Sequence, residues 1–362
     1  MTSPALVSVI VPTFNRADLL RRAVDSALQQ THPNMQVVVI DDGSTDDTPA
    51  VVDRAYGEDP RVKYLRVENG GVSRARNIGI AACSGAFVGF LDSDDYWLPW
   101  KIELQLKCLE QAPAAGMIWT DMDAVDETGT TLHVRYLRQM YGTYARLEEE
   151  GITLFTDTRT LSTGELGIAA LTADIALSQG DIFSQMILGS VVHTSTVLLR
   201  RERLEKVRGF REDLQVSGED YDFHLRTCRE GPVAFADIAT IGYTVGRTDQ
   251  LTAPSKIIHI AQNALLTIEP ILAESRHLIR LPSRSLERML AGRHAWVARE
   301  LLDAGRRKEA LIHARKSISY APTEVRRYVL WGLCALPQSC LSLLRSLRRG
   351  ARSLLLRATT TR

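Results

Sequence analysis

The chain has 362 residues, 45% hydrophobic and 24% charged, with a net charge of +1. That make-up is ordinary for a water-soluble globular protein, and the near-neutral balance gives no global pull toward nucleic acid. The charge is unevenly placed: residues 1–275 hold 25 Lys/Arg against 38 Asp/Glu, whereas residues 276–362 hold 19 against 5, an acidic front and a basic rear that suggest different partners for the two segments.

The first apolar run, "VSVIV" at 7–11, is too short for a signal peptide and has no basic stretch before it, so it reads as a buried strand ending at Pro12. Residues 17–30 carry apolar positions at helical spacing. A second strand follows at 35–40, then a helix at 47–56 and a third strand at 61–67. The "NGG" at 69–71 marks a loop, and 73–83 reads as a helix with Ser73 available as its N-cap. A fourth strand, 86–91, runs into Asp92-Ser93-Asp94-Asp95, and Pro99 begins another helix. Strands alternating with helices imply βαβ units on a mostly parallel central sheet flanked by helices. Residues 130–190 are loop-rich, with weak helical stretches such as 164–177. Strand then helix returns over 191–210, and 218–231 reads as a helix opened by acids, which suit a helix N-terminus. Residues 285–321 form one helical hairpin with Gly305 in its turn, an appendage rather than an array.

Five scattered cysteines with no CxxC pair fit neither a zinc site nor a disulfide framework and point to a reducing, cytoplasmic compartment. Residues 328–344 carry no charge but have Pro337 in their middle, so a packed or interfacial helix pair is expected rather than a membrane span. The basic, partly hydrophobic tail from 325 to 362 is either solvated or in peripheral contact with anionic lipid, on the inner face of the plasma membrane.

In open α/β sheets ligands bind beyond the carboxyl ends of the strands. Here those ends carry Pro12-Thr13-Phe14-Asn15, Asp41-Asp42-Gly43-Ser44, Asn69-Gly70-Gly71 and Asp92-Ser93-Asp94-Asp95, so acids and glycines converge on one rim. Asp92 and Asp94 suit Mg²⁺ or Mn²⁺ on a diphosphate, because such ions take few protein carboxylates and complete their shell with phosphate oxygens. They also suit simple capping of the next turn. Asp42 can accept from a nucleobase or ribose, or close an Asx-turn. Arg74 and Arg76 can offset the carboxylates, hold a phosphate, or sit on an exposed helix face.

Taken in order, "PTFNR", "DDGSTD", "GGVSRARNIGIA", "SGAFVGFLDSDDYWLP" and "GEDYDFHLR" closely resemble the family 2 glycosyltransferases, inverting enzymes with the GT-A fold that use nucleotide sugars. The resemblance covers about residues 5–245. It implies a GT-A domain over 1–245, with a nucleotide-sugar half at 1–125 and an acceptor half at 126–245, a helical extension at 246–324, and the tail at 325–362. By resemblance, Asp42 recognises the base, usually uracil, with Pro12 and Phe14 beside it, and Arg74 takes the nucleotide-side position. Asp94 binds the metal, Asp92 reaches ribose or metal, with Ser93 between them, and Asp220 matches the general base. His193 and Thr194 lie near the acceptor, a saccharide or glycolipid hydroxyl in polysaccharide or envelope glycan synthesis.

Two other readings compete. A nucleotidyltransferase usually places a Gly-rich, cationic loop after its first strand, whereas "PTFNR" stands there. A non-catalytic carbohydrate- or nucleotide-sugar-binding relative should have lost acids, whereas Asp42, Asp92, Asp94 and Asp220 are all present. No GxGxxG follows the first strand, which argues against a dinucleotide dehydrogenase.

Overall fold

In the computed structural model of the chain, residues 3–214, 216–247 and 256–337 are described. They divide into two compact units, one of Met1–His259 with Thr267–Arg280, the other of Ile260–Leu266 with Leu281–Arg362.

The first unit opens with β1 (Val7–Thr13), α1 (Leu20–Leu28), β2 (Met35–Asp41), α2 (Thr48–Tyr56), β3 (Val62–Arg66), α3 (Val72–Ala82) and β4 (Phe87–Phe90). The four strands pair in parallel in the order β3-β2-β1-β4. Their apolar runs are explained by cover: α1 and α3 both pack on β1 and β2, and Val9–Val11 and Val37–Ile40 are buried. The N-cap of α3 is Gly71 rather than Ser73, which lies inside the first turn. Gly71 has φ +90°, a conformation that a residue with a Cβ rarely adopts.

Beyond β4 come β5 (Tyr96–Trp97), α4 (Lys101–Gln111), β6 (Met117–Val125) and β7 (Thr131–His133). The middle stretch holds α5 (Leu137–Met140), α6 (Thr143–Glu149), β8 (Asp157–Leu161), α7 (Thr163–Leu166), β9 (Ile175–Gly180) and α8 (Phe183–Ile187). The helical reading of 164–177 is corrected here. A capping box from Ser162 and Glu165 starts α7, but Gly167 at φ +58° stops it after one turn, and the chain goes on to β9.

β10 (Leu198–Arg200), α9 (Arg201–Val207), α10 (Glu219–Arg229) and β11 (Val233–Thr244) complete the sheet. Its order is β3-β2-β1-β4-β10-β6-β11-β9-β8 among the described residues. The sheet is parallel as far as β4. β10 then runs antiparallel to both β4 and β6, β6 and β11 pair in parallel, and β9 and β8 are antiparallel.

α11 (Ile257–Ser275) contributes residues to both units. In the second unit α12 (Ser283–Asp303) and α13 (Arg307–Tyr320) form the expected hairpin, turned at Gly305 (φ +78°), and α14 (Val325–Ala335) packs on both. Ala291, Ala298, Ala310 and Ala314 are buried in this unit, and Ser317 Oγ donates to the Ala291 carbonyl at 2.7 Å. Of the uncharged stretch 328–344, α14 accounts for the start, and the residues from 338 onward lie outside the described ones. No helix among the described residues is long and apolar enough to cross a membrane. Cys83, Cys108, Cys228 and Cys334 are buried free thiols.

Gly79 lets α3 lie close on β1: a Cβ there would sit 2.4 Å from Ile10 Cγ2, inside the fully buried core. Gly79→Ala should therefore lower stability by about 1–3 kcal/mol through overpacking, read as a lower urea midpoint.

Candidate active site

Loops at the carboxyl ends of β1, β2 and β4, together with the N-termini of α3 and α10, build the site. Asn15 sits at φ +53°, in the left-handed region that Asn tolerates. Its Oδ1 accepts from the backbone N–H groups of Thr45 (2.8 Å) and Asp46 (3.3 Å), which fastens the loop after β1 to the loop after β2. Pro12 is buried within β1, and Phe14 projects from the rim with 44% of its surface exposed.

Asp41 and Asp42 have separate tasks. Asp41 is buried, and accepts from Tyr64 Oη (2.6 Å) and the Ser44 N–H (2.8 Å). Asp42 places one carboxylate oxygen on the Gly70 N–H and the other on the Gly71 N–H, both at 2.8 Å, at the start of α3. Its negative charge thus meets the positive end of that helix. Arg74, one turn on, gives its Nη1 to the Glu68 carbonyl at 2.8 Å.

Arg76 is the cation at the centre. Only 3% exposed, it donates Nη2 to Asp92 Oδ1 and Nη1 to Glu219 Oε1, each at 2.7 Å, with its guanidinium 5.1 Å from the Phe210 ring centre. One side chain from α3 therefore ties the loop after β4 to the start of α10. Burial works against the Arg76 charge, but Asp92 and Glu219 outweigh it and hold its pKa above the usual value. For Asp92, burial raises the pKa, and the charges of Arg76 and His193 with hydrogen bonds from Arg76 and Ser195 more than reverse it, so it is held below the usual range.

The neighbouring acids differ. Asp95 is buried and pushed well up by burial and by Asp94 and Asp92; Ser195 Oγ (2.7 Å) and the Thr244 N–H (3.1 Å) hold its carboxyl in place. Asp94 is pushed up to about 6 by burial and by the charge of Asp92. No side chain among the described residues donates a hydrogen bond to its carboxylate, although Arg16 and Arg247 lie near enough to be felt. Ser93, between them, is buried.

Asp220 is the second residue of α10, after the N-cap Gly218 and Glu219, and its Oδ1 accepts its neighbour's N–H, Tyr221, at 2.7 Å. Burial and then the adjacent Glu219 push its pKa up to about 7, and the charge of Asp92 adds to the rise. His193 is buried, pushed down to about 4 by desolvation, and packs edge-on against Tyr243 with 4.8 Å between ring centres. Thr194 Oγ1 lies 3.2 Å from His224 Nε2. Tyr141 is held well above the usual phenol range by burial and then by the charge of Asp220.

Asp92, Asp94, Asp220 and Arg76 thus share one electrostatic neighbourhood, whereas Asp42 is fastened at the N-terminal end of the helix that carries Arg76. Sequence reasoning paired Arg74 and Arg76 and assigned a role only to Arg74; their positions two apart on a helix gave no signal as to which would turn inward. Asp95, Ser195 and Tyr141 were also missed. Asp95 could have been suspected from its place in the acidic run, but Ser195 and Tyr141 had no local signal.

A divalent cation fits this donor set. Asp92, Asp95 and His193 each bring a ligand atom within 4.8 Å of the others. Asp95 is already engaged, and His193 Nδ1 faces the Ser195 N–H at 3.3 Å. Asp94, half-buried beside another carboxylate and lacking a side-chain donor among the described residues, is the acid whose charge a cation would balance.

Residues 8–165 match the family model described as "Glycosyl transferase family 2". The chain is 38% identical over 127 residues to both the chondroitin synthase of Pasteurella multocida (strain Pm70) and the hyaluronan synthase of Pasteurella multocida, a match covering 35% of this chain and 13% of either relative. It therefore spans a small part of those proteins. It is 29% identical over 231 residues to an uncharacterized glycosyltransferase of Rickettsia prowazekii, covering 64% of this chain and 61% of that one. Among solved structures it is similar to S. aureus TarS 1–349 in complex with UDP-GlcNAc, with a TM-score of 0.51, 20% identity, and coverage of 87% of this chain and 89% of that one. That likeness identifies the fold as GT-A.

Removing one partner of a buried charge pair leaves the others uncompensated. Arg76→Ala should cost about 3–5 kcal/mol of unfolding free energy, measured by chemical denaturation, because it strands Glu219 and Asp92 together.

Proposed function

We propose that this chain, whose residues 8–165 match the family model "Glycosyl transferase family 2", moves a sugar from a nucleoside diphosphate sugar to an acceptor hydroxyl with inversion at the anomeric carbon. The observation that carries this reading is the Arg76 bridge. It holds the Asp92 loop beside α10, so a donor pyrophosphate at Asp92–Asp94 and an acceptor at Asp220 face the same small volume.

In this mechanism the acceptor hydroxyl oxygen attacks the anomeric carbon from the face opposite the diphosphate. The bond from carbon to the diphosphate oxygen breaks, the diphosphate leaves with that electron pair, and the hydroxyl proton passes to the Asp220 carboxylate. With a pKa near 7, Asp220 is a stronger base than an exposed aspartate and still ionised in part at neutral pH. Asp92 and Asp94 would hold Mn²⁺ or Mg²⁺, with His193 or Asp95 as a further ligand, and the ion would offset the charge growing on the departing diphosphate. Phe14 and Pro12 form the wall for the base. Asp42 keeps Gly70 and Gly71 in place and offers its remaining lone pairs to the nucleoside, and Arg74 lies on the nucleotide side of α3. The UDP-GlcNAc bound by the structural neighbour and the synthases among the relatives favour a UDP-sugar donor and a glycan acceptor.

A thermal-shift screen of nucleotide sugars with Mn²⁺ tests the donor: at a hundred times its dissociation constant the right one should add about 2.7 kcal/mol of stability. Asp94→Ala should abolish the metal-dependent part of that shift. Asp220→Asn should keep it and lose turnover by about 10²–10⁴-fold. Because Asp220 must be deprotonated to act, log kcat/KM should rise with pH at unit slope and level off near pH 7; a flat profile from pH 5 to 8 is incompatible with this base.

A further inference from the structure

α14 is mounted with its apolar side outward. Toward the helical unit it turns Arg327, which pairs with Glu324 at 3.1 Å, and Cys334, both buried. Away from it stand Val325 (74% exposed), Tyr328 (46%), Val329 (59%) and Trp331 (38%). Positions 325, 328 and 329 fall on one stripe of a helix, and 331 borders it. An amphipathic surface helix normally buries such a stripe. Arg326 flanks it, exposed.

The surroundings are cationic. Residues 281–337 carry eleven Lys/Arg against five Asp/Glu, and no acid occurs after Glu324. Valines with a Tyr and a Trp, set in a basic field, match an anionic bilayer surface. The apolar side chains enter the boundary of the acyl chains, the aromatic rings settle at headgroup level, and arginines meet lipid phosphates. A stable protein–protein interface needs about 1,200 Å² or more of buried surface, a large demand on one eleven-residue helix. Lipid adsorption sets no such minimum. The helix is too short to span, so it would lie in the surface.

We propose that the outward face of α14 docks the protein on an anionic phospholipid membrane. This rests on the second unit alone and stands or falls apart from the transferase reading.

The test is flotation of the full chain with phosphatidylcholine vesicles, with or without phosphatidylglycerol. Wild type should float with the anionic vesicles only, and release as salt rises from about 0.1 M to about 1 M. The double variant Val329→Glu/Trp331→Glu should bind about tenfold more weakly or worse, with an unchanged melting temperature, whereas Val329→Leu should bind like wild type. Brominated phosphatidylglycerol should quench tryptophan emission of the wild type, and quench Trp331→Phe much less, a readout independent of the charged variant. Failure of the wild type to float, or equal binding by the double variant, overturns the proposal. So does loss of binding on removing residues 338–362 with the double variant unaffected, which would place the contact in the tail. A concentration-dependent dimer that the double variant dissolves, without vesicle binding, would assign the face to a second copy instead.

Discussion

The site depends on one buried guanidinium. Arg76 brings two hydrogen bonds of 2.7 Å to acids 127 positions apart in sequence, Asp92 and Glu219. Placing a charge out of water is costly, and it is tolerable here because both its terminal nitrogens meet a carboxylate and its face lies on Phe210. The arrangement has a second effect. Arg76 pairs directly with Asp92 and outweighs its burial, so Asp92 falls, whereas burial and then a neighbouring carboxylate push Asp94 and Asp220 up, in the latter against the opposing pull of Arg76. The contrast between a paired Asp92 and an Asp94 and Asp220 without an ion pair among the described residues leaves one acid held down and two titrating near neutrality.

Around that centre short polar side chains hold the rim by its backbone amides. Asn15 collects the amides of the second loop, Asp42 those of the third, and Ser195 links Asp95 with the Asp92 amide. Short polar side chains caught between strand ends lose little freedom on ordering, so the rim is set before a ligand arrives.

The first 110 residues were legible because their helices run nine to eleven residues, long enough to show a period, and because Gly, Pro and Asp punctuate the strand ends where turns must form; the two-residue β5 gave no such signal. Residues 130–190 were not. Their elements run three to seven residues, too short for a periodicity, and one glycine at 167 turns an apparent helix into a single turn followed by a strand. The acids of the site could be read from their place after strands. Which arginine would turn inward could not, since Arg74 and Arg76 share a helix and differ only in what faces them across the fold. Likewise Ser73 looked like a cap, but φ at Gly71 decided where the helix begins. Ser195 and Tyr141 acquire their roles only through distant neighbours, a property of the tertiary structure.

The four described cysteines are shut away, and burial drives the thiols of Cys108 and Cys228 up to about 12. Thiolate, the form that attacks alkylating agents, is then almost absent from these two while the chain stays closed. Labelling becomes a clock for opening, since each event must wait for its surroundings to separate. Cys83, Cys108 and Cys228 lie in the first unit and Cys334 in the second, so the order in which iodoacetamide marks them would tell which unit breathes first.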